Sequence, residues 1–191
     1  MKEIFVDIER CTACKACEIA CAVEHSTSKS LFGAVFERPA PQKRVHVEPA
    51  YAYAYPVRCL HCGDAPCIAA CPNGAMSRDA VTGAVLVAED RCQGCFMCAM
   101  VCPFGAISVH SVKRTAVKCD RCPDRVNAGL RPACVEACPT HALEYGEEEE
   151  LVSEKRLSAA ARVAQAVSGS AASAHENAAT PLDTLRSLRG C

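Results

Sequence analysis

Apolar and polar positions along this chain keep step with a strand or a helix only over short stretches. Between Gly74 and Cys102 they run Gly74-Ala75-Met76, a turn signal from Asp79 to Gly83, the apolar stretch Ala84 to Val87, then Asp90-Arg91-Cys92. That order predicts a β-hairpin feeding a cysteine group. Val6 to Arg10 repeats the lead-in Val87 to Arg91, and Pro103-Phe104-Gly105-Ala106-Ile107 and Pro139-Thr140-His141-Ala142-Leu143 repeat the segment that opens the hairpin. From Ala22 to Arg58 the prolines at 39, 41, 49 and 56 leave only the alternation Val45-His46-Val47 and the row Tyr51, Tyr53, Tyr55. This predicts mostly loop with brief strands, the tyrosines on one strand face. After Gly146 come Glu147 to Glu150, the helix-prone Ser153 to Val167, a Ser/Ala/Gly stretch and a stripe of Leu182, Leu185 and Leu188. Residues 147–191 read as a helical or disordered C-terminal tail, either solvated or docked on a partner through the leucines.

Half of the 191 residues are hydrophobic, but nine are aromatic and 17 are cysteine, so alanine and thiol supply much of the apolar count. Something other than side-chain packing must contribute to holding the fold. A formal charge of −1 argues against a nucleic-acid surface. Glu3, Asp7 and Glu9 precede Cys11, which leaves no apolar signal-peptide core, and no uncharged apolar run reaches the roughly 18 residues of a membrane span. The expectation is a soluble, cytoplasmic protein; any membrane association would come through a partner. In reducing cytosol a cysteine-dense chain binds metal rather than forming disulfides.

Sixteen cysteines fall into four groups of four, each ending in C-x3-C. Cys11, Cys14, Cys17 and Cys21 are spaced x2, x2, x3, and Cys92, Cys95, Cys98 and Cys102 repeat that spacing. Cys59, Cys62, Cys67 and Cys71 run x2, x4, x3; Cys119, Cys122, Cys134 and Cys138 run x2, x11, x3. Pro72, Pro103 and Pro139 follow three of the groups, as in the C-x2-C-x2-C-x3-C-P run of bacterial ferredoxins, whose last cysteine serves the neighbouring cluster. Four such runs imply four 4Fe-4S clusters. Zinc is the rival metal, but its ribbons bring together separate C-x2-C knuckles without the closely following third cysteine.

With these groups, Arg58-Cys59-Leu60-His61-Cys62 and Arg131-Pro132-Ala133-Cys134-Val135-Glu136-Ala137-Cys138-Pro139-Thr140 in view, residues 2–146 resemble the four-cluster iron-sulfur subunits of bacterial oxidoreductases. That family includes subunits of dimethyl sulfoxide reductase, formate dehydrogenase, formate hydrogenlyase and the iron-sulfur protein associated with carbon monoxide dehydrogenase. The segment Cys17 to Ser26 and the short chain look most like the last. The resemblance implies an α+β fold of two interlocked bacterial-ferredoxin-like dicluster modules with short hairpins and helices. Residues 1–58 and 104–146 would form the outer module and 59–103 the inner one. It also implies nested ligation. One outer cluster falls to Cys11, Cys14, Cys17 and Cys138, its mate to Cys119, Cys122, Cys134 and Cys21. The inner two fall to Cys59, Cys62, Cys67 and Cys102, and to Cys92, Cys95, Cys98 and Cys71.

The function so implied is electron relay, without catalysis, from a metalloenzyme, carbon monoxide dehydrogenase first, to a hydrogenase or other acceptor. The alternative partner is a formate dehydrogenase, hydrogenlyase or molybdopterin oxidoreductase. From other classes come a redox sensor and a zinc-bound interaction module. Each oxidised cluster with its thiolates carries about −2, taking the formal −1 to roughly −9. Lys113, Arg114, Lys118, Arg121, Arg125 and Arg131 then read as cluster shielding or solvated cations, with a docking patch for an acidic partner as the alternative. Phe96, Met97, Met100 and Val101 read as an apolar shell that disfavours added negative charge, whereas Lys15 and Arg121 favour it, so the Cys92 cluster should have a lower potential than the one at Lys15. His61 reads as a hydrogen-bond donor beside a cluster rather than a ligand. His141 takes the place that Gly74 and Gly105 hold in the repeats, where left-handed backbone is needed. His25, His46, His110 and His175 read as surface or packing residues, and Cys191 as an incidental thiol.

Overall fold

The computed structural model describes residues 2–176, with side chains as far as 167. The stripe Leu182, Leu185, Leu188, the His175 side chain and Cys191 lie outside the described residues. Residues Met1–Gly146 form one compact unit and Glu147–Cys191 a second.

The first unit mixes short helices with two-stranded sheets. Strand β1 (Lys2–Val6) pairs with β8 (Leu143–Glu147), joining the two ends of the unit. Strands β2 (His46–Ala50) and β3 (Tyr53–Val57) form a hairpin that sets His46 opposite Val57 and Ala50 opposite Tyr53. The alternation at Val45 to Val47 thus belongs to a real strand. Of the tyrosine row, Tyr53 and Tyr55 lie on β3, but Tyr51 sits in the turn at φ 55° and is fully exposed. The hairpin expected after Gly74 is β4 (Met76–Arg78) against β5 (Val85–Val87), Met76 opposite Val87. Asp79 closes its turn by accepting from the Thr82 N–H (2.8 Å) and hydroxyl (2.5 Å). A last pair, β6 (Ser108–Val109) and β7 (Ala116–Val117), leads into the fourth cysteine group. The repeated lead-ins are matching 3-10 turns, Ile8–Arg10 and Glu89–Arg91.

Every cysteine group carries a helix. Helices α3 (Pro66–Ala69), α4 (Met97–Met100) and α6 (Ala133–Glu136) are four residues long and stop before a Cys-Pro step. Proline has no N–H to donate and disfavours helix at the residue before it. In the first group Ala22 stands where the others have proline, and α1 (Ala16–Glu24) runs on through Cys21 for nine residues. Introducing that proline, Ala22→Pro, should cut α1 after Cys21 and cost about 3 kcal/mol. The check is thermal loss of cluster absorbance, which is expected at lower temperature than in the unaltered protein.

Two elements depart from expectation. The segment read as mostly loop contains α2 (Leu31–Phe36), with Leu31, Phe32, Val35 and Phe36 exposed, and α5 (Pro123–Asn127) fills the long gap in the fourth group. The described part of the second unit is α7 (Glu148–Glu176), a 29-residue helix whose first turn holds Glu148, Glu149 and Glu150, acids that suit a helix N-terminus. Among the described residues no helix is long and apolar enough to cross a membrane. The fully buried side chains of the first unit are small, Val45, Val85, Val135, Pro56 and Pro132, and cysteines make up much of the rest of its interior.

Candidate metal centres

Each group bends round its thiols by visiting left-handed backbone. In the first, Ala13 and Lys15 flank Cys14 at φ 57° and 60°; in the third, Gly94 and Phe96 flank Cys95 at 68° and 58°. A side chain at Gly94 would also put its Cβ 2.3 Å from the Arg114 carbonyl oxygen, so glycine is needed there twice over. His61 and Ala65 do the same in the second group, Arg121 and Cys122 in the fourth. Three residues after the last cysteine, Gly74, Gly105 and His141 are all left-handed, at 59°, 59° and 52°. His141 thus adopts the glycine conformation that its repeat position requires.

That last turn delivers N–H groups to sulfur. Ala75 N–H donates to Cys71 Sγ at 3.2 Å. Burial opposes ionisation of Cys71, yet the N–H groups of Met76, Ala75, Asn73 and Gly74 outweigh it and lower the pKa. At Cys138 burial is likewise overcome, by the Leu143 N–H, the Thr140 hydroxyl and the Ala142 N–H. Further backbone donors reach Cys21 from Arg44 (3.2 Å), Cys59 from His61 (3.4 Å) and Cys92 from Ala116 (3.4 Å). Other thiols are buried with few donors. Burial pushes Cys17 up to about 11 and Cys21 and Cys122 up to about 12, and Cys134 also rises well above its usual value. Such thiols ionise only against a strong positive centre, which a bound metal supplies.

The fold brings thiols of different groups together. Cys71 of the second group lines one cavity with Cys92, Cys95 and Cys98 of the third. Cys102 of the third lines another with Cys59, Cys62 and Cys67 of the second. Cys17 feels the charges of Cys138 and Cys14, and Cys134 those of Cys119, Cys21 and Cys122. Cys11, Cys17, Cys21, Cys134 and Cys138 belong to one packed core with Ile4, Val47 and Leu143. A second core joins Cys67, Cys71, Cys92, Cys98 and Cys102, and a small third one, Cys59 and Cys119 with Ala106 and Cys102, lies between them. The sites therefore form a row. Cys14 is exposed at one end and Cys95 at the other, each beside a buried thiol (Cys17, Cys98), while in the middle Cys21, Cys119, Cys122, Cys134, Cys59 and Cys67 are buried and Cys62 and Cys102 partly so.

Around the row lie charged groups, several of which spacing alone did not reveal. Glu18, between Cys17 and Cys21, is buried; Lys43 Nζ and the Val47 N–H both donate to it at 2.6 Å, tying α1 to β2. Burial opposes its ionisation, but those two partners hold the carboxyl below its ordinary range. Asp120, between Cys119 and Cys122, takes hydrogen bonds from Arg44 Nη1, the Cys122 N–H (2.9 Å) and His25 Nε2 (3.2 Å). Of the two readings of His25, surface or packing, the structure has the second: it belongs to a part-buried network. His46 and His110 are local: His46 Nε2 lies 3.4 Å from the Ser108 hydroxyl, and His110 Nδ1 accepts from the Val112 and Lys113 N–H groups.

His61 is 5 % exposed, and its Nδ1 accepts from the Val85 N–H at 2.9 Å. Burial, then the nearby Lys118, Arg121 and Arg58, lower its pKa to about 2, so the ring is neutral with its proton on Nε2. That Nε2 has no partner among the described residues, which suits the donor role read from the sequence. The basic residues of the fourth group divide. Lys118 and Arg121 are buried; Lys113 pairs with Glu89 (2.6 Å), Arg131 with Glu136 (3.1 Å) and Arg125 with Glu24 (3.5 Å), and Arg114 lies over the Phe96 ring. The apolar shell does not close: Met97 and Met100 are 50 % and 82 % exposed, and Lys15 is exposed as well. Of the residues behind the expected contrast in potential, Met97, Met100 and Lys15 are thus open to solvent, while Arg121 is buried.

This donor set fits iron-sulfur clusters. In two cavities soft thiols meet in fours, backbone N–H groups point at sulfur, and the buried Lys118 and Arg58 stand beside them with no carboxylate partner among the described residues. His25, Asp120 and Cys122 also lie close enough to hold an ion, but Cys122 belongs to the row.

A family model described as a 4Fe-4S dicluster domain matches residues 50–148, and a second with the same description matches residues 10–76. The B subunit of anaerobic dimethyl sulfoxide reductase from Escherichia coli (strain K12) is 40% identical over 152 residues, covering 77% of this chain and 74% of its own. An iron-sulfur protein of Rhodospirillum rubrum is 41% identical over 152 residues, covering 73% and 79%. Electron transport protein HydN of Escherichia coli (strain K12) is 37% identical over 171 residues, covering 80% and 94%.

Proposed function

The chain belongs to the 4Fe-4S dicluster family, as an iron-sulfur electron carrier with four 4Fe-4S clusters, and from that premise we propose that it is the electron-transfer subunit of a molybdopterin oxidoreductase complex. Its ligands are the four nested sets: Cys11, Cys14, Cys17 and Cys138; Cys119, Cys122, Cys134 and Cys21; Cys59, Cys62, Cys67 and Cys102; Cys92, Cys95, Cys98 and Cys71. The observation that carries the reading is the row of thiols, exposed at Cys14 and Cys95 and buried between. A bound cluster accepts and gives up one electron at a time. The chain fixes the spacing of the sites, excludes water from the middle of the row, and aims N–H groups at sulfur to stabilise added negative charge.

The relatives named for dimethyl sulfoxide reductase and as an electron transport protein favour this partner over carbon monoxide dehydrogenase. The catalytic subunit docks where a terminal set nears the surface. Anaerobic isolation of the native complex should yield about 16 iron and 16 acid-labile sulfide per chain, together with a molybdenum-containing subunit. Four zinc per chain would overturn the electron-transfer reading; a carbon monoxide dehydrogenase in place of the molybdenum subunit would overturn only the partner.

A further inference from the structure

At the junction of the two central thiol sets stand two cations with no carboxylate partner among the described residues. Lys118 is 3 % exposed, and its ammonium donates only to the carbonyls of Val85 and Cys119, the latter at 3.0 Å. Arg58 is 6 % exposed and donates to the carbonyls of Ile4 and Cys59, while its Nε has no partner. Arg121 and Arg44, by contrast, have Glu3 and Asp120. Burying an unpaired charge costs several kcal/mol, so a fold keeps one only where negative charge compensates it. The negative groups at hand are thiolates on both sides: Cys119 and Cys134 in one central set, Cys59 and Cys67 in the other. Cys119 and Cys134 both feel Arg58, and Cys119 and Cys67 both feel Lys118. Cations at the terminal sets, such as Lys15, are exposed, where water and salt screen them.

We infer that Arg58 and Lys118 are the shared counter-charges of the two central clusters and hold both of their reduction potentials up against the burial that would otherwise depress them. Reduction adds one negative charge to a cluster, and a fixed cation beside it favours that state. One pair of side chains thereby tunes two neighbouring sites together and leaves the ends to be set by whatever docks there. This rests on the ligand sets proposed above.

The test is a redox titration of the full holoprotein with the four clusters resolved by electron paramagnetic resonance. Cys134→Ser and Cys67→Ser identify the two central signals. Lys118→Met and Arg58→Met should each shift reduction of both central clusters by about tenfold, or about 59 mV for one electron, with the terminal signals unmoved. Lys118→Arg should keep the unaltered values. An unchanged titration, an equal shift of all four signals, or a Lys118→Arg shift as large as that of Lys118→Met would overturn the inference. If Lys118→Met assembles fewer clusters, recovery of full iron in Lys118→Arg supports the role of charge, and failure to recover it overturns it. Were the ligand sets themselves wrong, Cys71→Ser would remove the cluster that Cys62→Ser removes, a result distinct from every one of these.

Discussion

Replacing Cys71 with serine is expected to remove the same cluster that Cys95→Ser removes, and not the one that Cys62→Ser removes. In sequence Cys71 closes the second group, but in space it lines a cavity with Cys92, Cys95 and Cys98. Cys102→Ser should likewise reproduce Cys62→Ser, because Cys102 lines the cavity of Cys59, Cys62 and Cys67. Serine offers a hard oxygen in place of a soft thiolate, so each variant should lose up to one cluster, about 4 of about 16 iron. Electron flow between the ends of the row should fall by orders of magnitude, since one stepping stone is gone. Iron content and the missing resonance signal decide the matter together. Local ligation would be the right account if Cys71→Ser matched Cys62→Ser, and the nested scheme would then fail.

The cysteine frame was legible because a cluster demands short, fixed spacings, and those spacings survive in the order of residues. Pro72, Pro103 and Pro139 announce where three short helices stop, and Ala22 announces by contrast that the first continues. Even the left-handed turn at His141 could be read by aligning it with Gly74 and Gly105. The hairpin after Gly74 was legible from its turn residues. Helix α2 was not, because Leu31-Phe32-Gly33-Ala34-Val35-Phe36 has no polar face to show a helical period and lies in a segment dominated by proline.

Charge was the least legible layer. Glu18 and Asp120 sit between cysteines of the groups, where a carboxylate reads as solvent-facing, and their partners Lys43 and Arg44 lie 25 and 76 residues away. No local pattern encodes such a pair. Lys118 and Arg58 each sit one residue before the first cysteine of a group, and sequence alone did not show that both turn inwards. Met97 and Met100 failed in the opposite sense: apolar residues beside cysteines read as a shell, but α4 carries them to the surface.

Asp120→Ala is expected to be the most damaging substitution outside the cysteines. Burial works against its charge, yet His25, Arg44 and the Cys122 N–H together hold the carboxyl far below the usual carboxylate range. Its removal leaves the Arg44 guanidinium and the Cys122 N–H without their acceptor. It also loosens the loop in which the Arg44 N–H reaches Cys21 Sγ and His25 Nδ1 meets the Cys21 carbonyl oxygen at 2.7 Å. Breaking a buried ion pair on one side costs about 3–5 kcal/mol; the Asp120 side chain keeps 23% exposure, which places the loss near the lower end, about 3 kcal/mol. Against a total stability of about 5–15 kcal/mol this is a large share. Because Asp120 lies between Cys119 and Cys122, iron loss to a chelator should begin with that set, about 4 of about 16 iron, before the cluster of Cys92, Cys95 and Cys98 is touched. Asp120→Asn keeps an acceptor but not the charge and should fall between the two proteins. The measurement is the time course of iron release with the resonance signals followed in parallel. Release from Asp120→Ala at the unaltered rate would mean that Arg44 and His25 find other acceptors, and that the carboxylate does not hold Cys21 and Cys122 in one site.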